Sequence, residues 1–188
     1  MGLIVAIVLL IIVLILSIVI YKMYNMQKVR MLAQKLWIDH MWWTREYLIR
    51  YVNKLPDVDA VAARLLKNQD DLAQMFNLVY PGSYDTVKRL LTEHIVIATE
   101  LVSSMVNNAE ASETHKYATE WTRNATDIAN ALASLNHKYN KTILNNMMQT
   151  HLKTTSDELA QILAGKSGIN EFETALDHML HFNNYLMK

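Results

Sequence analysis

The chain has no cysteine, and its 188 residues include only four glycines and two prolines. The lack of cysteine excludes disulfides, thiolate metal sites and cysteine nucleophiles. The scarcity of helix breakers, beside abundant Leu, Ala, Met, Asn and Lys, favours helices over a turn-rich β fold.

An excess of one charge is also missing, because eighteen basic and eighteen acidic residues cancel. A neutral chain without a basic stripe lacks the clustered Lys and Arg that phosphate contacts require, so we expect no nucleic-acid partner. The sequence contains no Gly-rich phosphate loop, no nucleophile elbow and no Glu/His zinc motif. These absences favour a non-enzymatic role.

The longest uncharged stretch lies at the N-terminus, where residues Leu3 to Ile20 are apolar apart from Ser17. Eighteen helical residues span roughly 27 Å, close to the hydrocarbon thickness of a bilayer. Tyr21 and Lys22 follow at the depth where aromatic and basic side chains meet the membrane interface. The pattern predicts a transmembrane anchor over residues 1–22, with a lipid bilayer as partner.

A cleaved secretory signal is the alternative interpretation of this stretch. Such a signal needs a preceding basic segment and small residues at a cleavage site. Here nothing basic precedes the apolar run, and bulky residues 18–21 end it. Positive charge flanks only its C-terminal side, so residues 23–188 are predicted to form a domain on the cytosolic side.

Turn-forming residues divide this domain, and between them apolar residues recur at steps of three and four, as in amphipathic helices. We predict an all-α fold: an N-terminal transmembrane helix followed by an antiparallel four- to six-helix bundle. Segments 58–66 and 69–79 are predicted as two shorter helices that cap or cross it. No Pro or Gly lies between Leu3 and Leu55, so the anchor can continue into the first bundle helix, with a kink near residues 25–27 as the alternative. The predicted breaks are Pro56-Asp57, Asn68, Pro81 to Ser83, Asn107-Asn108, Asn136 to Asn140 and Gly165 to Gly168.

Three histidines, His40, His94 and His151, fall in or beside the apolar stripes of three different helices. Imidazoles that converge from facing helices can bind a divalent transition metal. The alternative is three half-buried histidines that hydrogen-bond to threonine, backbone or solvent. The di-iron pattern Glu-x-x-His on paired helices is absent, so spacing alone does not specify the metal site.

An aromatic cluster surrounds His40 in the sequence and contains Trp37, Trp42 and Trp43. Such a cluster can line a ligand pocket. Core packing, or contact with the membrane surface or a protein partner, is the interpretation that we favour.

The stretch LWIDHMWWTREYLIRYVNKLPDVDAVAARLLKNQDDLAQMF resembles a family of small helical-bundle proteins from Bacillus-like bacteria and large DNA viruses. The shared features are His40, Trp43-Thr44-Arg45, Leu55-Pro56-Asp57, Ala63 to Asn68, Glu93-His94 and His151-Leu152. The resemblance covers roughly residues 34–186 and implies the fold without an activity. The N-terminal anchor departs from the soluble members of that family.

The viral branch implies a structural role: a minor component of a virus particle that links an inner membrane to the capsid shell. Capsid or membrane proteins would then be its partners, and the virion inner membrane its location. The second hypothesis is a metal- or ligand-binding bundle, acting as a sensor or small enzyme through His40, His94 and His151.

Overall fold

A computed structural model describes residues 2–188, and this part of the chain contains six helices and no strand. The all-α prediction is confirmed. The helices are α1 (Gly2–Val52), α2 (Val58–Val79), α3 (Tyr84–Val106), α4 (Ala111–Leu135), α5 (Lys141–Leu163) and α6 (Ile169–Leu186).

The connections fall at the predicted breaks, with one exception. Lys54, Asn108 and Gly165 adopt left-handed backbone conformations just after α1, α3 and α5. In each case the next N–H bonds back to a carbonyl five residues earlier, at 2.9 Å. This hydrogen bond is the Schellman arrangement, which satisfies carbonyls that a helix end leaves without partners.

The exception is Asn68, which was predicted to separate two short helices. Segments 58–66 and 69–79 instead belong to the single helix α2, so that prediction was wrong. Asn68 is buried in mid-helix, where its side-chain amide donates to the carbonyl of Leu36 at 2.9 Å. An asparagine can cap the end of a helix, or it can lie within one helix and hydrogen-bond to another, and the sequence pattern does not distinguish these roles.

Helix α1 is a continuous helix of 51 residues, roughly 76 Å long. The unbroken continuation of the apolar segment into the bundle is therefore observed. Its first 27 residues, 2–28, are exposed, and the hydroxyl of Ser17, the one polar side chain in the run, donates to the carbonyl of Val13 at 2.8 Å. α1 is the one helix in residues 2–188 that is long and apolar enough to cross a membrane.

The six helices form a ring in which consecutive helices are neighbours and α6 closes against α1. Burial on α1 begins at Ala33, thirteen residues beyond Ile20. Alternating helix directions place the connections after α2 and α4 and the end of α6 at the bundle end near the apolar segment. The other three connections lie at the opposite end.

Candidate functional site: a histidine-lined cavity

Three buried histidines meet inside the bundle, one each from α1, α3 and α5. The ring centroids of His40 and His94 lie 5.6 and 5.7 Å from that of His151. Each of the three residues is only 4% exposed. The structure therefore brings together the three histidines that the sequence pattern singled out, at one level of the bundle.

The histidines lie at the wall of a cavity of about 300 Å³ between α1, α3, α4 and α5. Most of the other wall side chains are aliphatic, with Trp121 and Tyr47 contributing aromatic surface. A few hydroxyl groups complete the wall, from Thr44, Thr99, Thr114, Thr155 and Ser156. A concave apolar pocket with a small number of converging polar groups is the usual form of a small-molecule site.

Burial keeps the three imidazoles uncharged. Loss of water around His40, together with the neighbouring His94, lowers the pKa of His40 from 6.5 to about 3. Burial lowers the pKa of His94 to about 4. Burial, and then repulsion from the other two rings and from His178, places the pKa of His151 well below its ordinary value. At neutral pH the cavity wall thus presents three neutral rings.

The proton position on His94 follows from its partner, Asn124 on α4. The Asn124 amide nitrogen donates to the carbonyl of Leu90 at 3.1 Å, which fixes the orientation of the amide. Its oxygen lies 2.8 Å from Nδ1 of His94 and must accept, so Nδ1 carries the proton. The Nε2 atom of His94 is therefore a bare acceptor, and it is buried with no hydrogen-bond partner.

The side-chain amide of Gln69, on α2, adjoins the ring of His40. Nε2 of Gln69 donates to the carbonyl of Leu65 at 2.9 Å, which fixes that amide. Its second amide hydrogen faces both Nδ1 of His40 and Oδ1 of Asn68, each 3.3 Å away, so this contact is compatible with either tautomer of His40. Among the three rings, His94 is therefore the one whose proton position its hydrogen bonds fix.

Three further polar atoms of cavity-wall residues are buried without partners: Nδ1 of His151, Nε1 of Trp121 and Oγ1 of Thr155. Trp121 also packs against His94, with a centroid distance of 5.3 Å. Each unpaired buried donor or acceptor costs about 1–3 kcal/mol. With Nε2 of His94, four such atoms belong to residues of one cavity wall, and each lies beneath the cavity surface, so a bound molecule would pair with them only after the wall side chains shift.

The structure brings the three histidines of the predicted metal site together, but not in an arrangement that can bind a metal ion. No group of three His, Asp or Glu side chains in residues 2–188 is set to hold a metal ion as the side chains stand. Nδ1 of His94 carries the proton that Asn124 accepts, which leaves Nε2 as the ligand atom of that ring. Metal binding by all three rings therefore requires these side chains to shift from their present positions.

The three tryptophans around His40 in sequence point to different surroundings. Trp37 is buried, with its ring edge-on to His40 and Phe182. Trp43 is half-buried beneath the guanidinium of Arg64, and Trp42 is 51% exposed. None of the three lines the cavity. The prediction that they contact a partner stays a prediction, and Trp42 is the one with the surface for it.

A buried ion pair lies on the same face of α5, beyond the cavity. Nη1 of Arg45 is 2.5 Å from Oε1 of Glu158, and Nη2 of Arg45 donates to the carbonyl of Ser167 at 2.8 Å. The Glu158 carboxylate is fully buried, and burial raises its pKa even though Arg45 lowers it in part. The pair fixes the connection between α5 and α6 against α1.

Sequence reasoning did not identify Asn124, Gln69 or Trp121 as site residues. Asn124 stands three residues after Trp121, beside the apolar stripe of α4, and such a polar residue on a buried face is the signal that could have located it. Gln69 stands next to the misread Asn68. Its role depends on α2 continuing through that position.

No protein-family model, curated protein or solved structure matches this chain. The resemblance over residues 34–186 and the virion role that it implies therefore stay predictions. The location of the bundle domain on the cytosolic side is likewise untested by the fold.

Proposed function

We propose that this protein is a membrane-anchored binding protein whose bundle takes a small, mainly apolar molecule into the histidine-lined cavity. One observation carries the proposal: a cavity of about 300 Å³ has three neutral buried imidazoles and several unpaired buried polar atoms at its wall. A purely structural bundle gains stability by filling such a space and pairing such atoms. We infer a binding role and no bond-making chemistry, because no hydroxyl in residues 2–188 is hydrogen-bonded to a histidine ring as a triad nucleophile would be.

The chemistry of the wall defines the class of ligand. Nε2 of His94 is an unpaired acceptor and Nε1 of Trp121 an unpaired donor, and a shift of the wall side chains would turn both toward a ligand. The remaining surface is mostly aliphatic and aromatic, and the volume lies at the lower end of the range for ligand pockets. The best fit is a flat, uncharged molecule of one or two rings that carries one donor and one acceptor.

Anchoring by α1 is the second part of the proposal. A run of apolar side chains exposed to solvent from residue 3 to residue 20 has its natural partner in lipid, and the single hydroxyl within it is satisfied internally. His40 lies twenty residues beyond Ile20, roughly 30 Å along the axis of α1. The cavity therefore stands clear of the bilayer, and its ligand arrives through water. The basic flank of α1 favours the cytosolic side for the bundle.

Calorimetric titration of the full chain in detergent with two matched probes tests the binding role. Benzimidazole carries one N–H donor and one bare ring nitrogen, whereas indene has the same bicyclic size and neither group. We expect benzimidazole to bind with one site per chain, and indene about tenfold or more weakly, because one buried hydrogen bond contributes about 1.5 kcal/mol. Equal affinities would contradict the role of the polar wall atoms, and no binding of either would contradict the site.

Two variants locate the binding. Ala98→Phe places a ring inside the cavity, and Ala111→Phe makes the same change on the exposed first turn of α4. We expect the first to abolish benzimidazole binding and the second to leave it intact. His94→Leu removes the acceptor with little change in volume and should equalise the two probes. His94→Leu therefore still tests the site if Ala98→Phe does not fold.

A divalent transition metal is the second candidate ligand, favoured by the convergence of His40 and His94 on His151. Neutral imidazoles are the form that binds such metals. Elemental analysis of the full chain after incubation with zinc and desalting tests it. One zinc per chain in the native protein and none in His94→Ala would support the three-histidine site, and equal zinc in both would exclude it.

A further inference from the structure

Charge is distributed unevenly along the bundle, although the chain as a whole is neutral. At the end near the apolar segment, residues 21–30, 80–86, 134–141 and 183–188 contain six basic side chains and one acidic, Asp85. At the opposite end, residues 50–59, 104–113 and 164–173 contain three basic and six acidic side chains. The bundle is therefore positive toward the predicted membrane and negative away from it.

Hydrogen bonds hold the positive end together as one surface. The hydroxyl groups of Tyr80 and Tyr139 are 2.6 Å apart, which joins the connection after α2 to the connection after α4. The hydroxyl of Tyr139 also donates to the carbonyl of Leu186, and the amide of Asn140 donates to the hydroxyl of Tyr185 at 2.8 Å. These contacts bring Lys138 and Lys141 alongside the end of α6.

The same end of the bundle contains a polar cleft between α1 and α6. It has a volume of about 400 Å³ and is lined by Gln27, Arg30, Gln34, Asn183, Asn184, Met187 and Lys188. Two of these side chains are cationic and none is acidic. Nε of Arg30 donates to the carbonyl of Met187 at 3.1 Å, so one edge of the guanidinium is held in place.

A second observation within the cleft indicates a ligand. Asn183 is only 3% exposed, and its side-chain oxygen is buried without a hydrogen-bond partner. The cleft thus combines two positive groups with an unpaired buried acceptor. An anionic group that also carries a hydroxyl or ammonium donor matches both features.

The height of the cleft agrees with the position of lipid headgroups. Gln27 and Arg30 lie seven and ten residues beyond Ile20, roughly 10 and 15 Å along α1. The headgroup layer extends roughly 5–8 Å from the hydrocarbon boundary, and a helix tilt of about 20° lowers one side of the bundle toward it. Long basic side chains bridge the distance that remains, which is within one Debye length.

We propose that this end of the bundle, centred on the cleft of Arg30 and Lys188, binds the headgroups of anionic phospholipids. The lipid phosphate lies against the two cations, and a headgroup hydroxyl or ammonium group donates to the oxygen of Asn183. Lys138 and Lys141 face neighbouring headgroups. A bilayer is the occupant because α1 places one beneath this end. The inference rests on the proposed anchoring by α1.

The full chain in bilayer discs provides the test. Because the chain has no cysteine, His137→Cys introduces a single thiol in the exposed connection after α4, where a donor fluorophore is attached. Energy transfer is measured to trace acceptor-labelled phosphatidylglycerol and to equally labelled phosphatidylcholine. We expect enrichment of phosphatidylglycerol around the bundle end, reduced when salt is raised.

The double variant Arg30→Gln/Lys188→Gln should reduce this enrichment, by about fivefold for each removed charge that contacts a lipid headgroup. The matched control, Lys54→Gln/Lys166→Gln, makes the same charge change at the opposite end and should have no effect. Equal transfer to both lipids, or equal loss in the two double variants, would overturn the headgroup site. Loss of the enrichment on adding inorganic phosphate at constant ionic strength would also overturn it, in favour of a free-phosphate site.

Extraction with alkaline carbonate separates this inference from the anchoring. A chain that stays in the membrane yet shows no lipid preference overturns only the headgroup site. A chain released by carbonate overturns the anchoring and the headgroup site together.

Discussion

Because the three buried histidines are neutral in the folded bundle, we predict that its stability falls steeply as the pH is lowered. Each imidazole has a pKa near 6.5 in the unfolded chain, whereas the folded-state pKa is about 3 for His40 and about 4 for His94, and well below 6.5 for His151. The unfolded chain therefore binds more protons in this range. Stability is complete above pH 6.5 and is lost as the pH falls toward the folded-state pKa values.

The magnitude follows from linkage. Each lowered imidazole pKa contributes about 1.4 kcal/mol per pH unit, so the three histidines together decrease the free energy of unfolding by up to about 4 kcal/mol per unit. His94 alone contributes about 3 kcal/mol at pH 4. Domains of this size are stable by about 5–15 kcal/mol, so the combined loss removes a large part of the stability of the bundle by pH 4.

Two carboxyl groups also affect the free energy of unfolding in this pH range or below it, and their effects have opposite signs. Glu158 has a raised pKa, so its protonation favours the folded state on acidification and offsets part of the loss. Asp70 has a pKa lowered to about 2 by hydrogen bonds from Lys88 and Tyr84, so its contribution is lost only below about pH 4. Between pH 6.5 and 4.5, the change in the free energy of unfolding therefore comes mainly from the histidines.

Urea unfolding of the full chain in detergent, at pH values from 7.5 to 4.5, measures this slope. All four tryptophans lie in the bundle, so their fluorescence reports its unfolding without a signal from the apolar segment. His151→Leu should reduce the slope by about one third. His137→Leu, in an exposed connection, should leave it unchanged. A free energy of unfolding that stays constant over this interval would refute the burial of the three neutral rings.

Arg45→Met should destabilise the bundle by about 3–5 kcal/mol in urea unfolding at pH 7, because it leaves the buried carboxylate of Glu158 unpaired. The double variant with Glu158→Met should recover most of this loss, and no recovery would contradict the pairing. Asn124→Leu should weaken benzimidazole binding in calorimetry, because His94 loses the partner that holds its proton on Nδ1; unchanged affinity would contradict that assignment. Tyr139→Phe should cost about 1–3 kcal/mol in thermal unfolding, since its hydroxyl contacts both Tyr80 and the end of α6; an unchanged Tm would contradict it.

The fold was predictable from the sequence because its signals are local. Few breakers, four amphipathic stripes and a long apolar run specify helices and their approximate ends. The error at Asn68 has the same local origin: this residue has a capping side chain in sequence, but a long-range hydrogen bond to the carbonyl of Leu36 places it inside a helix. A short-range pattern cannot contain that information.

The histidine cluster was predictable only as a set of candidates. His40, His94 and His151 stand out because each lies in or beside an apolar stripe, but their shared depth depends on how three helices are aligned along the bundle axis. The proton position on His94 depends on Asn124, which belongs to another helix. The cavity itself is a property of packing and leaves no pattern in the sequence.

Nitrogen-15 NMR of the histidine rings in the full chain tests the proposed binding site most directly. Benzimidazole should shift the Nε2 resonance of His94 as that atom accepts a hydrogen bond, while indene should leave it in place. The exposed rings of His115 and His137 should not respond to either probe. Benzimidazole binding that leaves the resonances of His40, His94 and His151 unchanged would contradict the assignment of this cavity as the site.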